Sequence, residues 1–474
     1  MYLMRVADLI QLGTEYLIYA LVLAVIFGGL FGIGYFIIYK KIMKGQKKLS
    51  LPKFLLYAMF ICYIFMVFGV TLLSRFTYQT ELFRLTPFYS YIEAWHQYKD
   101  ASWRNIILNI FMLVPFGLLL PYIHKTFQKF APTALAGLTF TLLIEVVQLV
   151  LRRGIFETDD LINNTLGTLI GYGLYRLADY IHKKIKKEPV SIKPVLLYQL
   201  PLAIAAVAFT AIFSIHHFKE LGNLQCHHII KAHPASVTCN ASFEASPETA
   251  SVYIVPISTV EETELYARDF FAGLGYGFDE SRTDIYDETA FYYSDPGDII
   301  LSIDYEGNKI DYSNFACRWD ENDEMIPAST AATEEEIRTV VKEAGFFIPE
   351  GAEFNNLENG TYRFLANCIM HEDFVYDGPV SVTCNSLGQI EHLDYNIIKC
   401  TPYKAFPIIT EEEAYSRIAD GIFLYEPAFE PEHIVVNDIF LAYEVDSKGF
   451  YQPIYIFECN IDGSDTRLYT PAIR

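Results

Sequence analysis

Long apolar runs recur six times in the first 216 residues and then stop. They cover residues 15–39, 54–74, 105–123, 131–151, 163–181 and 195–215, each near the roughly 20 residues that carry a helix across a bilayer. The first run has its positive charges after it and lacks a small-residue cleavage pattern, so it reads as an uncleaved span and not a signal peptide. From Phe218 onward the period changes. Three helical patterns, at 258–273, 333–344 and 410–420, each open on Ser or Thr followed by acidic residues, an N-cap signature. Alternating strand-like runs follow each of them, with turns at Gly307-Asn308, at Ser386-Leu387-Gly388 and at Gly449. Helix plus hairpin thus recurs about every 75 residues, as a weak internal repeat.

Charge divides the chain at the same place. Lys and Arg outnumber Asp and Glu 21 to 11 over residues 1–216, whereas the remainder holds 15 against 46. With a formal charge of −21, a nucleic-acid partner is excluded. In the expected loops, 13 Lys fall on one side of the membrane and 7 Lys or Arg on the other. The richer side is expected to be cytoplasmic. The expected protein is therefore multi-pass in a cell membrane, with both termini extracytoplasmic. Its fold class is an α-helical polytopic membrane domain of six transmembrane helices (1–216), a juxtamembrane linker (217–251), and an acidic extracytoplasmic α+β domain of helix–hairpin units (252–474).

Polar groups inside a bilayer are costly and need a reason. Glu145, Gln148 and Arg152 share one face of the fourth span, and Arg153 follows. Asp160, Asn164, Gly167 and Gly171 share a face of the fifth. Asn105 and Asn109 share a face of the third, which Pro115 and Gly117 then interrupt. The topology brings all of these to the outer end of the bundle. Two readings stand: a ligand pocket, or a scaffold in which Glu145 and Arg152 pair and the glycines form a small-xxx-small packing face.

The strings NIILNIFMLVPFGLLLP and LIEVVQLVLRRGIFETDDLINNTLGTLIGY carry a resemblance. Residues 57–180 resemble the VanZ-like family of membrane proteins. The resemblance implies a cell-envelope role in a Gram-positive-type bacterium and an association with resistance to teicoplanin. It maps the family pattern onto Asn105, Asn109, Pro115, Gly117, Glu145, Gln148, Asp160, Asn164, Gly167 and one of Arg152 and Arg153. The last helix–hairpin unit resembles PepSY-like and YycI-like extracytoplasmic modules, which implies a partner-contacting or inhibitory role.

The expected ligand is a cell-wall precursor, a lipid headgroup or a lipoglycopeptide, bound without catalysis. An enzyme acting on a lipid-linked substrate, with Glu145 or Asp160 as general base, is the alternative. A sensor working through a membrane protein partner is another. No catalytic residue, metal or cofactor is assigned. Seven cysteines lie outside the spans, where an oxidising exterior favours disulfides. Cys226 with Cys239, and Cys368 with Cys384 across a hairpin, are the candidate pairs. His216, His217, His227, His228 and His233 crowd the linker, reading as an interfacial polar segment, or else a metal site or pH-sensitive hinge.

Overall fold

The computed structural model describes residues 29, 32–42, 44, 50–73, 83–243, 248–320, 322, 324–425 and 430–474. Two units partition the chain: Met1–Pro234 with Ile422–Glu432, and Ala235–Gly421 with His433–Arg474.

In the first unit, a wide-turned helical stretch at Gly34–Ile42 precedes α1 (Leu51–Phe68) and α2 (Tyr89–Gln97). Then come α3 (Asp100–Met112), α4 (Val114–Ile123), α5 (Phe130–Leu151) and α6 (Thr158–Ile185). The short α7 (Lys193–Leu197) and α8 (Leu200–Phe218) follow. Among the described residues, four stretches are long and apolar enough to cross a membrane: Leu51–Leu72, Asp100–Ile123, Phe130–Leu151 and Leu200–Phe218. They match the second, third, fourth and sixth expected spans. The expected first span lies mostly outside the described residues. The expected fifth is helical throughout as α6, yet it is too polar to be one of the four. Its Asp159, Asp160, Asn163 and Asn164 are buried within the unit. A helix wrapped by protein need not be apolar all round, whereas Leu135, Leu142, Leu143 and Val150 of α5 are exposed, as a lipid-facing surface requires.

The third span is broken where Pro115 lacks an N–H: α3 ends at Met112 and α4 begins at Val114. Both halves lie on α6, and glycine sets how closely. A Cβ on Gly167 would stand 1.9 Å from the Ile110 carbonyl oxygen, and one on Gly171 2.0 Å from that of Val114. A Cβ on Gly117 would stand 1.9 Å from the Thr168 carbonyl oxygen. The small-residue face is therefore a backbone-to-backbone contact. Below this level Tyr63, Val67, Leu113, Phe116, Leu120 and Ile144 form an apolar core. Trp103 packs with Phe209 and Phe213 of α8.

The second unit is built on a 14-stranded sheet. Its helices α9 (Val260–Gly273), α10 (Glu334–Glu343) and α11 (Glu411–Ala419) each begin with a reciprocal capping box: Thr259 with Glu262, Thr333 with Glu336, Thr410 with Glu413. The three expected helices are present, and the turns at Gly307, Gly388 and Gly449 take positive φ. More strands follow each helix than one hairpin. An antiparallel meander of four, from Gly277–Ile285 to Ile310–Asn314, follows α9. The expected linker also contributes: Ser236–Cys239 pairs parallel with His433–Val436, and Thr249–Ile254 pairs with the strand Ile398–Pro407. Sheet structure thus begins ahead of residue 252.

Cys239, Cys317, Cys368, Cys384, Cys400 and Cys459 are free thiols, so neither expected pair forms a disulfide. For Cys368 and Cys384 the register gives the reason. Cys368 sits at a bulge against Asp377, whereas Cys384 lies just past the Thr361–Thr383 pair. Seven residues along a strand amount to roughly 23 Å, far beyond the roughly 7 Å limit between Cα atoms of a disulfide.

The glycine contact yields a direct test. Gly167→Ala and Gly171→Ala should each destabilise the detergent-solubilised protein by roughly 1–3 kcal/mol, the usual cost of overpacking. Gly34→Ala, where a Cβ meets nothing within 4 Å among the described residues, should leave the thermal midpoint unchanged. Equal midpoints for all three variants would contradict the close packing.

Candidate functional site

Five helix ends meet at one end of the first unit. α1 runs on into a widened turn, Gly69–Leu73, which offers backbone carbonyls. Two side chains from the end of α5 take them: Gln148 Nε2 donates to the Thr71 carbonyl at 2.9 Å, and Arg153 Nη1 to that of Leu72 at 3.2 Å. Arg153 can do so because α5 closes with Arg152 in the left-handed conformation at φ 54°, the Arg153 N–H returning to the Gln148 carbonyl at 2.9 Å. Arg152 is left exposed. Of the two arginines, only Arg153 is turned to the bundle, and the expected Glu145–Arg152 pair is not among the described ion pairs.

Glu145 meets the start of α6. Its Oε2 accepts from the Glu157 N–H at 3.3 Å, and Glu157 is the residue that precedes the first helical position. A carboxylate there satisfies a donor the helix leaves open and faces the positive end of its dipole. Glu157 is placed by a two-residue parallel bridge between β1 (Phe83–Arg84) and β2 (Phe156–Glu157), and its carboxylate takes Arg84 Nη1 at 3.1 Å. One turn into α6, Asp160 accepts from Asn109 Nδ2 of α3. A turn further, Asn164 Nδ2 donates to Thr141 Oγ1 of α5 at 2.9 Å. Glu145, Gln148 and Asn164 are each 1% exposed, and Asp160 6%. Asn105, expected on the same face as Asn109, is exposed on α3. The structure therefore brings together Glu145, Gln148, Arg153, Asp160, Asn164 and Asn109, and places Arg152 and Asn105 outside.

Two further polar residues of α6, Asp159 and Asn163, lie outside the expected site residues and make tertiary bonds of their own. Asp159 accepts from the Ser90 N–H at 2.8 Å, from Ser90 Oγ at 2.6 Å and from the Phe88 N–H. Asn163 Oδ1 accepts from the Tyr91 hydroxyl. Both hold α2, a helix where only a loop was expected. The available signal was the spacing of Asp159 and Asn163, which repeats the four-residue step of Asp160 and Asn164 on the adjoining face of α6.

The histidine cluster lies along the other side of α2. His216 stacks on Tyr98 at 3.3 Å between centroids, and His227 on His96 at 4.8 Å. Asn223 Nδ2 donates to the Trp95 carbonyl at 2.6 Å, and the Lys219 ammonium lies 5.7 Å from the Trp95 ring. No group of three His, Cys, Asp or Glu that could hold a metal occurs among the described residues. The His216 and His227 rings serve as packing surface beside α2. Burial, aided by His228 and Lys219, holds His96 down to about 4 from the usual 6.5. The fold therefore favours the neutral ring. Its contribution is complete above pH 6.5 and is lost as the pH falls from there through about 4. Proteolysis within residues 219–234 should accelerate over that window. His96→Phe, which keeps a ring and cannot titrate, should flatten the response; an equal response in the variant would exclude His96 as its source.

Comparisons with known proteins fall on the same stretch. The VanZ/LLP1 family model matches residues 54–179. Protein VanZ of Enterococcus faecium is 32% identical over 111 residues, which is 23% of this chain and 61% of that protein. The chain thus spans about three fifths of the length of this curated relative. A solved structure, the Bacillus megaterium YpeB C-terminal domain, aligns with 46% of this chain and 94% of its own at 12% identity and a TM-score of 0.22. Glu145, Gln148, Arg153, Asp160, Asn164 and Asn109 all lie inside the matched region, and residues 54–179 carry a VanZ/LLP1 domain.

Proposed function

We propose that this is a VanZ-like protein of the bacterial cell membrane that contributes to resistance against teicoplanin-type glycopeptides. It spans the membrane six times with both termini outside. The buried polar end of the VanZ-like domain, at the outer leaflet, binds a cell-wall precursor or lipid headgroup. The observation that carries this reading is the convergence of Glu145, Gln148, Arg153, Asp160 and Asn164 at one buried level. Such groups are costly inside a bilayer and are kept where they serve a ligand. The excess of Lys on the opposite loops supports the orientation, and the name of the Enterococcus faecium relative supports the envelope role. The acidic outer domain would attract cationic ligands or contact a partner protein.

The test is a susceptibility panel of teicoplanin, vancomycin, daptomycin and nisin, applied to a deletion strain restored with variants. Glu145→Ala should insert normally yet give the teicoplanin susceptibility of the deletion. Glu145→Gln keeps a hydrogen-bond acceptor without a base, and should retain protection if the site binds only. A dead Glu145→Gln would favour an enzyme acting on a lipid-linked substrate. Full protection by Glu145→Ala would remove the site from the function altogether.

A further inference from the structure

The other end of α6 is built around a cation. Three apolar stretches stop or start there: α4 ends at Ile123, α5 begins at Phe130 and α8 at Leu200. Gly173 lets the chain between α7 and α8 close on α6, since a Cβ on it would stand 2.3 Å from the Tyr198 carbonyl oxygen. Gln199 Nε2 fastens this contact by donating to the Gly173 carbonyl at 2.9 Å. The Tyr198 ring then meets the edge of Tyr172 at 5.2 Å between centroids and stacks on Phe130 at 6.0 Å. Arg176, one turn along α6 from Tyr172, sets its Cζ 5.3 Å from the centre of the Tyr198 ring and lies beside the Tyr172 hydroxyl. That hydroxyl donates to the Gln128 carbonyl at 2.9 Å, so it offers the guanidinium its lone pairs.

Neither tyrosine neutralises Arg176. Asp179, the next acid along α6, is taken by Lys183 at 2.7 Å. A second cation stands at the same place. Lys129 is exposed between Gln128, which accepts from Tyr172, and Phe130, whose ring lies 5.8 Å from Tyr172. It precedes α5 without making a side-chain cap. Arg176 and Lys129 are in no ion pair among the described residues. Residues 124–129 and 172–199 together hold eight Lys or Arg against two acids.

Two unpaired cations about one pair of tyrosines, where apolar helices end, match a lipid phosphate. The guanidinium fork fits two phosphate oxygens, and tyrosine rings are at home at the headgroup level. The surrounding lysines favour a lipid with net negative charge, and repel the choline of a zwitterionic one. A soluble anion would have to leave water to reach a half-buried guanidinium, whereas a lipid phosphate already sits at that depth. We infer that Arg176 and Lys129 hold the phosphate of an anionic lipid headgroup at the Lys-rich end of the VanZ-like domain. This site lies at the opposite end of α6 from Asp160 and does not rest on the function proposed above.

The full chain in lipid nanodiscs tests it. Retention of phosphatidylglycerol and phosphatidylcholine is compared by native mass spectrometry, with inorganic phosphate added to phosphatidylcholine discs in a thermal-shift arm. The wild type should retain phosphatidylglycerol about tenfold over phosphatidylcholine. Arg176→Gln and Lys129→Gln should each cut that preference, and together bring the two lipids to parity. Lys129 is exposed and caps nothing, so its variant tests the site even if Arg176→Gln misfolds. Lys187→Gln, which removes the same charge beyond the end of α6, should leave the preference intact. Stabilisation by inorganic phosphate that Arg176→Gln abolishes, without a lipid preference, would support the same phosphate chemistry from a soluble source. An equal loss with Lys187→Gln would mean diffuse surface attraction and overturn the site. Equal retention of both lipids without stabilisation by phosphate would overturn it too. The susceptibility panel reads the other end of α6, so either reading can fail alone.

Discussion

The first turn of helix Thr158–Ile185 is the constraint on which the membrane unit depends. Its open N–H groups and dipole call for negative charge. Asp159, Asp160 and the incoming Glu145 supply it, and each carboxylate also fastens a different neighbour. Asp159 holds the helix Tyr89–Gln97, Asp160 holds Asn109, and Glu145 ties in the end of Phe130–Leu151. The adjoining Gln148 and Arg153 extend the hold to the Thr71 and Leu72 carbonyls, in the widened turn that follows Leu51–Phe68. Deeper in the bundle Gly167 and Gly171 bring the same helix against the backbone of its neighbours. Polar tethering at one end and glycine contact below it make this helix central, and its polarity follows from being enclosed.

The sequence offered scaffold and pocket as alternative readings of the same residues. Most donors here are spent on structure, which is the scaffold reading. The pocket reading draws on those same side chains, Gln148 and Asn164 among them. A site made this way is preorganised, because the groups that would face a ligand are already held by the helices they join.

Much of this was legible in the chain. Periodicity placed the apolar helices at 54–74, 105–123, 131–151 and 195–215, and the acidic openings of 333–344 and 410–420 marked caps that the fold contains. The step of three and four residues put Glu145 with Gln148, and Asp160 with Asn164, on shared faces. What escaped has physical reasons. The choice between Arg152 and Arg153 turns on a left-handed cap, which spacing does not encode. Asn105 shares a face with Asn109 but lies a full turn nearer the helix end, outside the contact. The helix Tyr89–Gln97 is too short for a clear period and is held by tertiary bonds to Asp159 and Asn163 and by rings from the histidine segment. Cys368 and Cys384 sit on adjacent strands, as their spacing suggested, but strand register separates them.

The most direct measurement of the central claim is hydrogen exchange in the detergent-solubilised chain, wild type against Asp159→Ala. If the first turn of Thr158–Ile185 organises this end of the unit, residues 89–97 should lose their protection in the variant, while the glycine-packed stretch 167–173 keeps its own. Unchanged protection of 89–97 would mean that the helix is held by its aromatic contacts alone, and would contradict the organising role given to that turn.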